Sequence, residues 1–416
     1  MDDKFTQPYN PTETEDRIYK TWQDSGYFNP DNLPERHKKP FTIVMPPPNA
    51  NGNLHVGHAL FITLEDIMTR FKRMSGYKSL WLPGADHAGF ETQIVYEKKL
   101  QKEGRSRFKM DPQDLYKEIY DFTIENKATM ENQVRKLGAS CDWSREKFTL
   151  DPEIVTKVQK TFKKMYDDGL VYRGNRMVNW CTKHQTSLSD VETETVEKTD
   201  KLYYIKYGPV TVATVRPETI FGDVAIAVNP TDKRYNNLIG TSVTVTTPIG
   251  NMDLQVIGDE SVETDFGTGA LKITPSHDNN DAEMAERHNL PFIEIIDQYG
   301  RLNEKTGKYV GMKIATAREA VAKDLGEMGL LEKVEDYTHP VPTCYKCGTT
   351  IEPRQIPQWY VKMKPLAEMA LKAVQEKKIT FYPDNYRKIF NYWMENTTDW
   401  NISRQLYWGH QIPVFY

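Results

Sequence analysis

Two histidines three positions apart lie on a rigid stretch near the start of the chain. Residues 46–60 read PPPNANGNLHVGHAL, which places His55 and His58 on either side of Gly57 after three prolines. Imidazole N–H groups can donate hydrogen bonds to phosphate oxygens, and a glycine lets a ligand come close to the backbone. The stretch favours a phosphate site. An incidental pair of surface histidines stays open, as does zinc binding, for which no third ligand is evident nearby.

Cysteine and histidine form two further pairs with a two-residue gap. Cys181 and His184 make the first pair, and Cys344 and Cys347 make the second, far along the chain. This gap is typical of zinc knuckles, and three cysteines with one histidine are a common structural zinc set. The pairs predict a zinc site that joins the two ends of a long insertion; four unrelated surface residues are the alternative.

Two polar motifs lie inside that insertion. They are TVRPET at 214–219 and KITPSHDNND at 272–281. The second motif is typical of a polar turn that caps a helix starting near Asp281. A metal-dependent hydrolase is an alternative, with the ligands His277, Asp278, Asp281 and His288. A calcium loop is disfavoured because the spacing of the aspartates is wrong and the required glycine is missing.

The elements around the histidines predict where they lie. Residues 41–45 are a short apolar, β-rich run that reads as a buried strand, and 79–82 look like a second strand. Between them, apolar residues at helical spacing run from near Val56 to a stop at Gly76. Strand, helix and strand make a βαβ unit with a parallel sheet. The histidine loop and Asp86 then lie at the carboxyl edge, where such sheets bind ligands.

Composition narrows the class of protein. The 416 residues suit two or three domains, and 38% hydrophobic and 27% charged residues with a formal net charge of −4 are ordinary for a globular protein. No apolar run approaches the length of a membrane span, and the acidic start is not typical of a signal peptide. Four cysteines favour a reducing compartment, so we expect a cytoplasmic protein. Residues 202–275 are rich in Val, Thr and Ile and predict antiparallel β structure.

Six long stretches resemble, in order, the class I aminoacyl-tRNA synthetases, and in detail their valyl form. The stretches are PPPNANGNLHVGHAL (46–60), LPGADHAGFETQ (82–93), LGASCDWSREKFTLD (137–151), VRPETIFGDVAIAVNP (215–230), GTGALKITPSHDNNDAEMAERHNLP (267–291) and DWNISRQLYWGHQIP (399–413). The resemblance implies an α/β fold: a Rossmann-like parallel-sheet nucleotide-binding domain, an inserted, mainly antiparallel β editing domain, and a zinc knuckle. The implied segments are 1–190, 191–340 and 341–416.

The resemblance also implies a reaction, in which ATP with Mg²⁺ activates valine and the valyl group passes to tRNA(Val). His55, Gly57 and His58 would bind ATP, and the two histidines would hold its phosphates as negative charge develops on them during the reaction. Asp86 would bind the substrate ammonium, and Pro46, Asn49, Trp400 and Trp408 would line the valine pocket. The implied partners are tRNA(Val), valine and ATP, with no membrane; we expect a monomer.

The inserted domain would hydrolyse threonyl-tRNA(Val) made in error. The residues implied for this editing site are Arg216, Thr219, Lys272, Thr274, Asp278 and Asp281. Asp281 would bind the aminoacyl ammonium, and Asp278 or Thr219 would contact the threonine hydroxyl. Lys272 and Arg216 would lie near the terminal adenosine or its phosphate, and water would attack without a metal.

The Lys-Met-Ser-Lys-Ser signature and the anticodon-binding domain of the resembled family do not occur in these 416 residues. We therefore expect little valyl-adenylate formation and mainly editing from this stretch of chain. A stand-alone trans-editing hydrolase and a non-catalytic tRNA-binding fragment remain alternatives.

Overall fold

A computed structural model describes residues 8–415, which divide into two compact units. The first unit runs up to Met165 and resumes at Leu406; the second spans Tyr166–Gln405. The predicted segment boundaries after 190 and 340 stay predictions. Among the described residues, no helix is both long and apolar enough to cross a bilayer.

The first unit is built mainly from helices around two short parallel strand pairs. Its helices are α1 (Pro11–Asp24), α2 (Val56–Met74), α3 (Gly89–Lys102), α4 (Pro112–Lys136) and α5 (Pro152–Asp167), the last of which runs to the boundary with the second unit. Its strands are β1 (Lys39–Val44), β2 (Tyr77–Leu82), β3 (Gly84–Ala85) and β4 (Lys147–Phe148). β1 pairs with β2 in parallel, from Lys39 opposite Tyr77 to Val44 opposite Leu82, and α2 connects them. The predicted strand–helix–strand unit is confirmed.

The prediction that β1 is a buried strand is wrong. Its residues alternate between exposed and half-buried, and Val44 is 65% exposed. The apolar residues that follow helical spacing along α2 also face outward, since Leu60 and Phe71 are 63% and 64% exposed. The reason is the small sheet: among the described residues β1 has a strand neighbour on one side only. The core of this region lies on the other side, around Met45 and Trp81.

Helix starts in the first unit follow from local sequence. Asn10 and Asp111 accept hydrogen bonds from the first free backbone amides of α1 and α4, and each is followed by a proline. Proline fits the first helical position because its missing N–H has no partner there. α2 is different, since its N-terminal cap is His55 itself. The histidine motif therefore begins the helix.

The second unit consists mainly of β-sheets. Its strands are β5 (Val171–Cys181), β6 (Thr186–Leu188), β7 (Thr193–Tyr207), β8 (Val210–Thr214), β9 (Ala225–Val228), β10 (Ser242–Thr247), β11 (Gly250–Gly258), β12 (Ala270–Ile273), β13 (Leu331–Cys344), β14 (Glu352–Val361) and β15 (Trp400–Asn401). Its helices are α6 (Asn279–His288), α7 (Ile314–Glu327), α8 (Lys364–Gln375) and α9 (Asn385–Glu395).

Three sheets make up this unit, with strand orders β10-β11-β9-β12, β13-β7-β8 and β15-β14-β5-β6. All pairings are antiparallel except β11 with β9, so the mainly antiparallel prediction for 202–275 is confirmed. Alternate residues of β10 are buried, as expected for a strand with one face on a core. A large apolar core, which includes Ile205, Val212 and Ile226, holds the polar motifs of the insertion in place.

Candidate functional site

The histidine pair lies at the start of α2, and its geometry is reciprocal. The backbone N–H of Gly57 donates to Nδ1 of His55 at 3.1 Å, and the backbone N–H of His55 donates to Nδ1 of His58 at 3.2 Å. The ring centroids are 3.9 Å apart. A Cβ atom on Gly57 would approach Cε1 of His55 to 2.9 Å, so glycine is needed at this position to seat the His55 ring.

These contacts select one tautomer for each neutral ring. Because both Nδ1 atoms accept a backbone N–H, the ring proton must sit on Nε2, which is then available as a donor. Burial lowers the pKa of His58, and the neighbouring His55 lowers it further. His55 is exposed and His58 half-buried. The pair presents two N–H donors beside a helix N-terminus, which suits a phosphate.

Asp86 lies beside the histidine loop. Its backbone forms a parallel bridge with Asn49: the Ala50 amide donates to the Asp86 carbonyl at 2.8 Å, and the Asp86 amide donates to Pro48 at 2.9 Å. The Thr149 hydroxyl donates to Oδ1 of Asp86 at 3.1 Å. The structure thus brings Asn49 and Asp86 together.

His87 and Trp408 complete the surroundings of Asp86. Trp408 is buried, and its indole N–H donates to the His87 carbonyl at 2.8 Å. Burial lowers the pKa of His87 to about 4, although Asp86 acts in the opposite direction, so the ring is neutral near pH 7. Gln93 accepts from the Tyr407 amide at 3.2 Å and so anchors this segment.

The other two residues of the predicted valine pocket are less enclosed. Pro46 is exposed at the end of the strand region. Trp400 is 55% exposed and lies on β15, in the second unit, whereas Asn49, Asp86 and Trp408 belong to the first unit.

The insertion contains a buried set of polar residues, here called the Lys272 network: Tyr207, Thr219, Asp223, Lys272 and Thr274. The Lys272 ammonium donates to Thr219 at 2.7 Å, to Asp223 at 2.9 Å and to Thr274 at 2.5 Å. Asp223 also accepts from Tyr207 at 2.7 Å and from Thr274 at 2.5 Å. Burial raises the pKa of Asp223, and the Lys272 charge lowers it. This placement differs from the predicted contact of Lys272 with the adenosine, because its ammonium faces three internal acceptors.

Asp281 adjoins this network at the first turn of α6. One of its carboxylate oxygens, Oδ2, accepts from the Thr274 amide at 2.8 Å. Asp278, which is exposed, caps the helix and accepts from the Asn280 and Asp281 amides. The prediction of a capping turn is thereby confirmed. Burial, followed by the charge of Asp278, raises the pKa of Asp281 to about 7.

Arg216 lies in a second buried group. Its guanidinium donates to both oxygens of Glu352, at 2.9 and 2.8 Å, to Glu218 at 3.1 Å and to the His277 carbonyl at 3.0 Å. Burial alone would raise the pKa of Glu352, but the Arg216 charge and the hydrogen bond with His277 hold it below its usual range. Arg216 therefore links the turn at 216–219 to His277, the residue before Asp278. Its contacts position these two segments relative to each other.

The four residues of the metal-hydrolase alternative are not brought together. His277 contacts Glu352 through Nδ1 and accepts from the Ile295 amide at Nε2, while His288 contacts Asp259 at 2.9 Å. In residues 8–415, the grouping suited to a metal is instead formed by Cys181, His184, Cys344 and Cys347. Their ligand atoms all lie within 4.8 Å of one another, and Cys181 and Cys347 sulfurs are 3.6 Å apart. The predicted convergence of the two pairs is confirmed.

Known proteins resemble this chain along nearly its whole length. The family described as tRNA synthetases class I (I, L, M and V) matches residues 17–416. The chain belongs to the class I tRNA synthetases. It is 47% identical to the valine--tRNA ligases of Pseudothermotoga lettingae over 414 residues and of Thermotoga maritima over 415 residues, covering 98% of this chain and 47% of each relative. The valine--tRNA ligase of Clostridium perfringens is also 47% identical over 423 residues, covering 100% of this chain and 48% of the relative.

This class I synthetase chain spans about half the length of the curated relatives it matches. Among solved structures, a ternary complex of Agrobacterium radiobacter K84 agnB2 LeuRS with tRNA and LeuAMS is similar at a TM-score of 0.39 and 19% identity. The match covers 83% of this chain and 52% of that one. A likeness at that level has no bearing on the sites.

Several residues of these sites were not singled out from the sequence of this synthetase. Thr149 holds Asp86, Asp223 receives Lys272, and Glu352 receives Arg216. Each lies far from its partner along the chain. For Thr149 and Asp223 a signal existed, since they belong to the stretches LGASCDWSREKFTLD and VRPETIFGDVAIAVNP; no local pattern marks Glu352.

Proposed function

We propose that the chain is the part of a valine–tRNA ligase that carries the amino-acid and phosphate-binding residues of the synthetic site together with an editing site. The observation that carries the proposal is 47% identity to valine--tRNA ligases along 98% of the chain. In the complete enzyme, valine, ATP with Mg²⁺ and tRNA(Val) are the substrates.

The synthetic role follows from the donors in the first unit. Adenylate formation is an in-line displacement at the α-phosphate, which depends on positioning and charge stabilisation. The Nε2–H groups of His55 and His58 are oriented as phosphate donors by the backbone amides on their Nδ1 atoms. Asp86, held by Thr149, supplies a carboxylate for the valine ammonium.

The carboxylate of Asp281 supports a role in the hydrolysis of mischarged tRNA. A pocket shaped for valine rejects threonine only about 10²-fold, so a second, hydrolytic site is needed for accuracy. A threonyl ester carries an α-ammonium, and Asp281 is a carboxylate with one oxygen bound to the Thr274 amide. Of the two candidates for the threonine hydroxyl, Asp278 is exposed whereas Thr219 is buried and bonded to Lys272, so we assign this contact to Asp278.

In the hydrolytic step, water adds to the ester carbonyl carbon, the bond from that carbon to the ribose oxygen breaks, and the proton passes to the ribose oxygen. Arg216, Thr219, Lys272 and Thr274 act as positioning residues for this step, because their polar groups already have internal partners. A cavity of about 540 Å³ adjoins β12 and α6 and is lined by Phe266, Leu271, Asn280 and Met284 among others. It offers space beside α6 for the terminal nucleotide.

The test of editing is the hydrolysis of threonyl-tRNA(Val), measured against valyl-tRNA(Val), at high enzyme concentration. We expect rapid loss of the threonyl group only, and loss of that activity in Asp281→Ala. The matched control is Asp297→Ala, an aspartate in a turn of the same unit, which should keep the activity. If Asp281→Ala hydrolyses threonyl-tRNA as fast as the wild type, the assignment of the site is wrong.

We also propose that Cys181, His184, Cys344 and Cys347 bind one structural zinc ion. The donor set fits, since three sulfurs and one imidazole suit tetrahedral Zn²⁺ with metal–sulfur distances of about 2.3 Å. Because β5 ends at Cys181 and β13 ends at Cys344, the ion would join the ends of two long strands.

Elemental analysis of protein purified without chelator should find about one zinc per chain. Cys344→Ala should lose that zinc, whereas Cys141→Ala, which removes a buried cysteine of the first unit, should keep it. Zinc retained at full occupancy in Cys344→Ala would contradict the site.

A further inference from the structure

A cationic cleft lies in the second unit, away from the Lys272 network. It has a volume of about 490 Å³ and is formed by β5, the segment after β14 and the start of α8. Its lining residues, here called the Arg176 cleft, are Tyr172, Arg176, Lys362, Lys364, Pro365, Glu368 and Asp399. None of them belongs to the sites described above.

One of the two acids in the cleft is already neutralised. Asp399 accepts from the Tyr172 hydroxyl at 2.6 Å, from the Met363 amide at 3.3 Å and from Arg176 at 3.4 Å. Its side chain is only 22% exposed, while that of Arg176 is 53% exposed. Arg176 is thus held over the cleft by a partly buried carboxylate and still faces solvent.

Two further cations in the cleft have no such partner. Lys362 and Lys364 are exposed, and within residues 8–415 neither has a carboxylate at ion-pair distance. Glu368, one turn along α8 from Lys364, does not pair with it. Two other lysines, Lys372 on the same helix and Lys378 just after it, behave differently, since both pair with Glu376.

The floor of the cleft is aromatic. Tyr172 and Tyr360 stack with their ring centroids 5.6 Å apart and an interplanar angle of 23°. The Arg176 guanidinium lies 5.7 and 5.5 Å from these two rings, and the Lys362 ammonium lies 5.8 Å from Tyr172. Cations arranged over aromatic rings are the combination that binds single-stranded nucleic acid, in which phosphates meet the charges.

We propose that the Arg176 cleft binds the phosphate backbone of the tRNA, with Lys362 and Lys364 as the phosphate contacts. The inference rests on the proposed function, which supplies the RNA. With Arg176 paired to Asp399, the two unpaired lysines face one uncompensated acid, Glu368, so the cleft carries a net charge of +1. Free inorganic phosphate has the same chemistry as a single backbone phosphate, and the experiment separates the two.

The experiment measures the affinity of the 416-residue chain for a labelled tRNA(Val) transcript over a range of salt concentrations. The double variant Lys362→Ala/Lys364→Ala should bind the tRNA about tenfold more weakly near 0.1 M salt. Its plot of log association constant against log salt concentration should be less steep by about 1.4, because two phosphate contacts are lost at about 0.7 each. The control, Lys372→Ala/Lys378→Ala, has the same net charge and should stay within about twofold of the wild type. Glu368→Gln should bind more tightly.

The outcomes separate the inference from the proposed function. If the wild type does not bind the tRNA, the proposed function fails and the inference fails with it. If the wild type binds but both double variants weaken equally, the effect is net charge alone and only the inference is overturned. Full competition by inorganic phosphate, at matched ionic strength, would show a free-anion site and would also overturn it.

Discussion

The histidine pair of the first unit and the Lys272 network of the second unit hold their polar groups in opposite ways. His55 is exposed, and each ring of the pair is held by one backbone amide. Lys272 and Asp223 are buried, and the ammonium has three partners. The histidine pair leaves its Nε2–H donors available to a ligand. In the Lys272 network the donors are already bonded to acceptors inside the protein.

This difference separates binding groups from positioning groups. Within residues 8–415 the Nε2–H groups of His55 and His58 have no internal acceptor, so under the proposed function they would contact a phosphate directly. Beside the network, the carboxylate available for a ligand is Asp281, whose pKa is raised by burial. Buried charges are costly unless paired. We therefore expect the two regions to respond to substitution with very different losses of stability.

The largest expected effect is on Lys272. Lys272→Met removes the cation that faces Asp223 and should cost about 3–5 kcal/mol in the free energy of unfolding, because an uncompensated carboxylate stays buried. Urea titration measures the loss. Adding Asp223→Asn to this variant should recover part of the stability, since the charge left behind is then removed. A loss below about 1 kcal/mol would mean that the network contributes little.

A smaller effect, with a distinctive dependence on pH, is expected at Asp281. The pKa of Asp281 is raised from 3.8 to about 7 in the folded state, so the folded protein binds this proton more tightly than the unfolded chain. The resulting stabilisation is complete below about pH 3.8 and is lost as the pH rises through about 7. The loss is at most about 4 kcal/mol. Asp281→Asn should therefore be more stable than the wild type at pH 8 and similar near pH 4. Urea midpoints at the two pH values decide this, and an equal effect at both would contradict the pKa assignment.

The smallest effect is expected at the histidine pair. His55→Ala removes the side-chain cap of α2 and should cost about 1 kcal/mol or less, because the ring is exposed. Gly57→Ala should cost no more than that, since the exposed His55 ring, which the added Cβ would approach to 2.9 Å, can turn away and gives up only the same cap. Thermal unfolding of both variants checks the order. A His55→Ala loss as large as that of Lys272→Met would remove the distinction between the two regions.

The sequence predicted the local features of these regions and missed the long-range ones. The βαβ unit, the cap at Asp278 and the meeting of the two metal-ligand pairs followed from spacing alone. Burial did not, since β1 and the apolar side of α2 are exposed. An alternating sequence pattern predicts which residues of a strand share a face, but not which elements of the fold pack over that face.

Residue roles were harder to predict than residue positions. Lys272 and Arg216 carry charges that suit a phosphate, and only the structure shows Asp223 and Glu352 facing them. These acids lie 49 and 136 residues away along the chain, so no local pattern links them to their partners. Pairing across such distances is decided by the packing of strands.

The most direct test of the account is the pH dependence of kcat/KM for threonyl-tRNA(Val) hydrolysis, corrected for the uncatalysed reaction. kcat/KM reports the ionisation of the free enzyme, and the account requires an ionised Asp281 to bind the ammonium. The kcat/KM of the wild type should therefore increase as pH rises through about 7, the pKa of Asp281. In Asp281→Asn, kcat/KM should be low at every pH and should not show this increase. A wild-type profile with no inflection near that pH, or the same rise in Asp281→Asn, would contradict the central role of Asp281.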